Sequence, residues 1–357
     1  VELPDGKPER ITSNEWPIAG FCWTPDSREI IFSIVPLTIN YFLKVSIENK
    51  KIEQLNFEGE SNPTISADGK RIAFQFAKAE WNIYRLKIPQ KVNESNHAKK
   101  LISSTVMEYS AEYSPDGSKI IYDSNQSGII ELWLCDSLGQ NSFKLTDSKI
   151  GSGSPRWSPD GRFIVFHGRD TGYRDIYYLN IDDKLPVALT KSSSEDCFPS
   201  WSRDARWIYF TSDRSGENQI WKMPFPGNED NAVQVTKTGG DYVLESMDGA
   251  NLFFRKNRTG IWKMPIKGGS EILVLDFPIG RICWTVASKG IYFFNISATG
   301  GDREIKFFNF DTKEIRTVYK VNRDIYNRLT ISPDEKYLLY SQVEEGESDI
   351  WMVENWR

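Results

Sequence analysis

Apolar and polar positions alternate along this chain in short runs, as in Arg71-Ile72-Ala73-Phe74 and Trp207-Ile208-Tyr209-Phe210. A period of two predicts strands half-buried on one face, and no stretch carries the 3.6-residue period of an amphipathic helix. The alternating runs sit inside a phrase that returns about every 44 residues: a large apolar residue, a short turn carrying Asp, then a run of aromatic and branched residues. It reads FCWTPDSREIIFSI, PTISADGKRIAFQF, AEYSPDGSKIIYDS, PRWSPDGRFIVFHG, PSWSRDARWIYFTS, VLESMDGANLFFRK and LTISPDEKYLLYSQ, with turn residues Asp26, Asp68, Asp116, Asp160, Asp204, Asp248 and Asp334. The interval from Asp248 to Asp334 is about twice the others and holds a degenerate copy, ICWTVASKGIYFFN, in which Ala287 takes the Asp place and Trp284 keeps the Trp place. The chain therefore carries eight repeats.

Each repeat continues through a hairpin, in most copies containing Gly (SNQSG, GRDTG, SDRSG, KNRTG, EEGES), to a third strand with Ile or Leu before an aromatic residue. A fourth follows, ending at Thr146, Thr190 and Thr236 in three of the repeats. Four short antiparallel strands per repeat of this length predict the blade of a β-propeller, so the expected fold is all-β, with eight four-stranded blades in a single domain over residues 1–357. Seven blades is the alternative, because the seventh copy departs furthest from the pattern. The last repeat stops after its third strand, while the opening KPERIT resembles a fourth strand without a blade. The same 14-residue interval separates Thr12 from Asp26, Thr146 from Asp160 and Thr190 from Asp204. The stretch up to Thr12 is thus expected to complete the last blade, leaving no open sheet edge.

The recurrent Asp reads as a turn former: Pro presets φ, Asp accepts bonds from nearby amides, and Gly takes the position where a Cβ would clash. Trp23, Trp157, Trp201 and Trp284 share one phase of the repeat, and Trp133, Trp221, Trp262 and Trp351 another. Both sets are expected to wedge between neighbouring blades.

Composition narrows the function. Lys and Arg number 44 against 49 Asp and Glu, a net charge of -5 with the signs interleaved, which disfavours nucleic acid as a partner. No run approaches the roughly 20 apolar residues of a membrane span, so no membrane contact is expected of this domain. The chain starts at Val1 instead of Met, and any anchor or targeting signal is expected upstream. Cys22, Cys135, Cys197 and Cys283 lie in different blades without CxxC spacing and read as buried free thiols. With His97 and His167 the only histidines, no GxSxG elbow, no P-loop and no ligand-spaced His or Cys, no catalytic residue, metal or cofactor is assigned.

What a propeller offers instead is the mouth where the loops joining one blade to the next converge. These loops vary while the strands repeat. They supply the candidate binding residues Trp16, Glu108, Tyr109, Asp196, Phe198, Asp241, Tyr242, Arg281, Tyr326 and Arg328, a ring of mixed charge and aromatics suited to a protein, a peptide or a small polar ligand. Replacing Trp16, Phe198 and Tyr242 with Ala is expected to abolish binding with the thermal midpoint nearly unchanged.

The phrases PRWSPDGRFIVFHGRDTGYRDIYYLN and PSWSRDARWIYFTSDRSGENQIWKM resemble the WD-like repeats of TolB-type propellers, a resemblance that covers essentially the whole chain. The tail ISPDEKYLLYSQVEEGESDIWMVENWR and the run GSPRWSPDGRFIVF are similar to the C-terminal propellers of bacterial membrane-anchored winged-helix (CadC/ToxR-like) transcriptional regulators. That resemblance implies a periplasmic or otherwise extracytoplasmic sensory or interaction domain, with the DNA-binding and membrane segments before Val1. Two other readings stay open. A gating propeller of a prolyl-oligopeptidase-type peptidase would be continuous with a GxSxG-bearing segment, and a propeller lyase would need a His-rich channel.

Overall fold

The computed structural model describes residues 9–12, 18–34, 41–58, 61–89, 97–147, 150–169, 173–256, 260–295, 303–321, 323 and 325–356. Apart from one turn of 3-10 helix at Glu229–Asn231, all its regular elements are strands. Repeats one and three to seven each form their own four-stranded antiparallel sheet in chain order. The divergent seventh copy does so as fully as the rest, through Trp284–Ala287, Gly290–Asn295, Arg303–Asn309 and Ile315–Val321.

The turn aspartates act as the sequence predicts. Asp160 Oδ1 accepts the amide of Arg162 and the hydroxyl of Ser158, and Ser158 Oγ in turn accepts the amide of Phe163. The same knot recurs at Ser114–Asp116, Ser202–Asp204, Ser246–Asp248 and Ser332–Asp334. The Ser two places before the Asp thus fastens both sides of the turn. Ser158→Ala is expected to cost about 1 kcal/mol in a denaturant titration, because two amide or carboxylate partners lose their hydroxyl; a cost near zero would assign the turn to backbone geometry alone.

A second recurrent knot holds the outer edge. The fourth strands of repeats three to five are only two residues long, Phe143–Lys144, Val187–Ala188 and Val233–Gln234. Each is bolted down by the Thr that follows it. Thr146, Thr190 and Thr236 accept the amides of Leu132, Ile176 and Ile220 and donate to Glu131, Asp175 and Gln219, all inside the protein.

The chain divides into two compact units, residues 1–79 with 345–357, and residues 80–344. Strands Arg71–Lys87 and Tyr337–Glu354 each run without interruption from one unit into the other. In the second unit, the start of Tyr337–Glu354 carries Ile325–Ile331 on one side, and the end of Arg71–Lys87 followed by Ala98–Ile102 on the other. Ile88 donates its amide to Lys336, and the Tyr84 hydroxyl meets Glu344. These four strands make a sixth sheet beside those of repeats three to seven. The inner strands then touch in cyclic order, with Ile325–Ile331 against both Trp284–Ala287 and Glu108–Tyr113, and Thr330 donates to the Ala111 carbonyl. Six sheets close the ring in this unit.

The first unit contains the four-stranded sheet of repeat one, Ile18–Trp23, Glu29–Ile34, Tyr41–Ser46 and Ile52–Glu58. Beside it lie Ser61–Ile65, the start of Arg71–Lys87 and the end of Tyr337–Glu354, joined by Arg71–Glu354 at 3.0 Å and the Phe76–Trp351 ring contact. The expected closing strand is corrected here. Residues 9–12 form no strand: Glu9 pairs with Lys50, and Ile11 packs on Phe32 and Val45 of the first sheet. The last repeat instead finds its partner in the second, whose outer strands it exchanges for its own.

Trp157, Trp201 and Trp284 are buried between sheets as expected, and Trp133, Trp221 and Trp262 are half-buried. Trp23 and Trp351, in the first unit, are not wedges: about half of each is exposed. Cys135 and Cys197 are buried thiols outside any disulfide, whereas Cys22 and Cys283, also outside any disulfide, are only partly covered.

Candidate functional site

In each inner strand of repeats three to six the ladder slips by a bulge near its start. The residue six places before the turn Asp adopts positive φ there: Ser110 (54°), Ser154 (56°), Phe198 (53°) and Tyr242 (47°). A bulge re-aims side chains, and the side chains at this phase converge. Phe198 and Tyr242 meet edge to face at 6.3 Å, Arg281 covers Phe198 at 5.4 Å, and Arg328 lies 6.0 Å from the Tyr242 ring. The residue seven places after the Asp holds the bulge of the next sheet. Asp123 Oδ2 accepts the amide of Ser154, and Thr211 Oγ1 accepts that of Tyr242. In the fourth repeat the same phase is His167, whose ring meets Phe198 edge to face at 5.8 Å.

Of the ten candidate residues, Phe198, Tyr242, Arg281 and Arg328 are thus brought together. Asp241 joins them through Arg281 at 3.0 Å, while its main partner is the buried Arg255, a bidentate pair at 2.8 and 2.6 Å. Asp196 is buried against Arg214 at 2.6 Å. Glu108 is buried away from this cluster, and desolvation pushes its carboxyl up to about 7. Tyr109 is half-covered at the start of the same strand, opposite Asp123. Tyr326 lies in Ile325–Ile331 opposite Ser341, and Trp16 lies outside the described residues.

The cluster closes the axis instead of lining an open channel. Tyr242 is fully buried, its hydroxyl accepts from Arg156 Nη2, and its ring meets Trp284 at 5.3 Å. The expectation that Tyr242→Ala and Phe198→Ala leave the thermal midpoint unchanged is therefore corrected: both rings are core residues. Two arginines flank the plug with opposite electrostatics. Burial pulls Arg156 down, but Tyr242 and Glu112, the latter at 2.6 Å, more than restore its charge. Arg328 hydrogen-bonds the Pro155 carbonyl at 2.6 Å but forms no ion pair among the described residues, and burial together with the nearby Arg156 lowers it.

On the turn side of the plug the axis widens into a cavity of about 290 Å³, walled by residues of all six sheets of the second unit. Its lining comes from positions one to four places before the turn residue, including Glu112, Arg156, Trp157, Ser200, Trp201 and Thr330. The sequence reading passed over this mouth because it treated the Trp phase as scaffold only. The available signal was the position four before each turn residue, where Glu112, Arg156, Ser200 and Thr330 stand in strands otherwise rich in apolar residues. Among the described residues, no group of three or more His, Cys, Asp and Glu is arranged to hold a metal, and no helix is long and apolar enough to cross a membrane.

Six sheets in cyclic order around a plugged axis define a β-propeller, and the profile of the TolB beta propeller domain matches residues 145–275. Among solved structures the chain is similar to TolB from Acinetobacter baumannii, with a TM-score of 0.53 and 17% identity over 90% of this chain and 81% of that one. It is also similar to a chain of a nidogen/laminin complex, at 0.52 and 10% over 73% and 98%. A puromycin-hydrolyzing peptidase of Mycobacterium tuberculosis aligns at 0.49 and 10%, over 85% of this chain and 53% of the peptidase. At these identities the first two similarities bear on the fold alone. A search of curated protein sequences found no match.

Proposed function

We propose that this chain is a non-catalytic recognition domain that acts outside the cytoplasmic membrane and engages a protein at the loop-rich mouth of its ring. The resemblance of its tail and central repeats to membrane-anchored winged-helix regulators supports a sensory role in such a protein; a free TolB-like periplasmic protein is the related alternative. The observation that carries the reading is the junction of Asp241, Arg281 and Phe198. A partly exposed guanidinium is held by a buried carboxylate and laid over an aromatic ring, beside a plug that stops passage through the axis. Preorganised Arg on an aromatic base is a frequent energetic centre of protein interfaces.

Arg281→Glu tests it. Because more than a third of the Arg281 side chain is exposed, the substitution should leave the ring folded and weaken binding of the protein that co-purifies with the wild type by about tenfold or more in a titration. Unchanged affinity would remove this mouth from the interface.

A further inference from the structure

Two arginines at the loop-rich mouth are each gripped by one nitrogen and left open at the other two. Arg174, which ends the hairpin leading into Asp175–Asn180, donates from Nε to Glu195 at 2.6 Å, and Arg281 Nε lies 3.0 Å from Asp241. Both guanidiniums rest against one ring, 5.8 and 5.4 Å from the centroid of Phe198. Nη1 and Nη2 of both make no hydrogen bond among the described residues and, unlike the buried nitrogens of Arg156 and Arg328, they reach solvent. Side-chain exposure is 25% for Arg174 and 37% for Arg281.

The neighbouring carboxylates are already divided. Glu195 also holds Arg169 at 3.5 Å, Asp241 is the bidentate partner of Arg255, and Asp213, the other carboxylate near Arg174, accepts the Glu195 amide. The field around Phe198 is accordingly positive. Burial, and then the charges of Arg174, Arg328 and Arg169, hold the adjoining His167 well below its ordinary value, so that the imidazole stays neutral.

We propose that the partner engaged at this mouth presents an acidic segment, whose Asp or Glu carboxylates dock against the outer nitrogens of Arg174 and Arg281 over Phe198. This rests on the reading of the mouth as a protein interface and names the chemistry it recognises. Carboxylate is the acceptor-only group whose two oxygens match the edge of a guanidinium fork, and charge-assisted bonds of this kind are the strong ones. Both forks are set in advance by the Nε contact and the ring beneath, so little side-chain freedom remains to be lost on binding. A basic or apolar segment would instead cover the same nitrogens without supplying acceptors, which is costly.

Calorimetric titration with acetyl-Gly-Glu-Gly-Glu-Gly-amide and its Gln counterpart tests the assignment. The acidic peptide is expected to bind saturably and about tenfold or more tighter than the Gln form. Arg174→Gln leaves Glu195 to Arg169, and Arg281→Gln leaves Asp241 to Arg255, so neither strands a carboxylate and both should fold. Each should weaken the acidic peptide by roughly 3–10-fold. Arg162→Gln, an exposed change at the turn end, controls for net charge and should have no effect. Equal affinity for the two peptides, no saturable binding of the acidic one up to about 10 mM, or unchanged affinity in both mouth variants would overturn the proposal. If the co-purifying protein responds to Arg281→Glu while the acidic peptide fails these tests, the mouth remains the interface and the acidic chemistry falls. If the peptide passes while that protein ignores Arg281→Glu, the acidic site stands and that protein docks elsewhere.

Discussion

Tyr242→Ala is expected to lower the unfolding free energy by about 3–5 kcal/mol, the range for removing a buried aromatic ring. The ring is fully buried, in contact with Phe198 and Trp284, with Arg156 and Arg328 over or beside it. Its loss opens a hole where six inner strands meet, a place that can collapse only by moving several sheets. Tyr242→Phe separates the hydroxyl from the ring. It should cost about 1.5–3 kcal/mol, since Arg156 then loses a bond to a buried charged donor. Urea titrations of both variants check this, and a Tyr242→Ala cost below about 1 kcal/mol would show that the plug is not part of the core.

The second large effect is a dependence of stability on pH. Burial raises Asp123 from 3.8 to about 7 and Glu108 from 4.5 to about 7. Asp123 faces the Ser154 amide, Ser110 and, more distantly, Arg328, and these offset its desolvation only in part. A carboxyl raised in the folded state binds its proton more tightly there than in the unfolded chain. Its contribution is complete below the unfolded pKa and is lost as pH rises through the folded one, here between about 4 and 7. Asp123→Asn removes the titration. It should match the wild type near pH 4 and exceed it at pH 8 by on the order of 4 kcal/mol, the equivalent of the shift from 3.8 to about 7. Stability curves that stay parallel from pH 4 to 8 would refute the assignment. The turn aspartates work in the opposite sense: hydrogen bonds from Ser114 and Ser118 hold Asp116 at about 2 and those from Ser202 and Arg206 hold Asp204 there. Their support is present above the unfolded pKa and fades as pH falls toward 2. Stability should therefore peak near pH 4–5.

The repeat was legible because turn chemistry and strand alternation are local: Ser158-Pro159-Asp160-Gly161 closes its turn with bonds among six neighbouring residues. Four of the candidate residues proved to share one phase, six places before the turn, and this is why Phe198, Tyr242, Arg281 and Arg328 meet. Their burial was not legible, because whether an inward side chain lines a channel or fills it depends on the ring's diameter and on five other strands. The exchange between the second and last repeats left one trace. Where repeats three to six carry a Gly-containing hairpin, the second has Phe76-Ala77-Lys78-Ala79-Glu80-Trp81, with no residue suited to a tight turn; the EEGES of the last repeat, expected as a hairpin, likewise lies within one strand, Tyr337–Glu354. The second repeat's strand continues, and the last repeat accepts its far end in place of a closing strand from residues 9–12.

Residues 80–87 and 337–344, at the two limits of the six-sheet circle, travel side by side. Such a seam is a natural graft point. Coding sequence added ahead of residue 80 and behind residue 344 leaves the circle as a ready-aligned pair, able to seed further sheets without prising the circle apart.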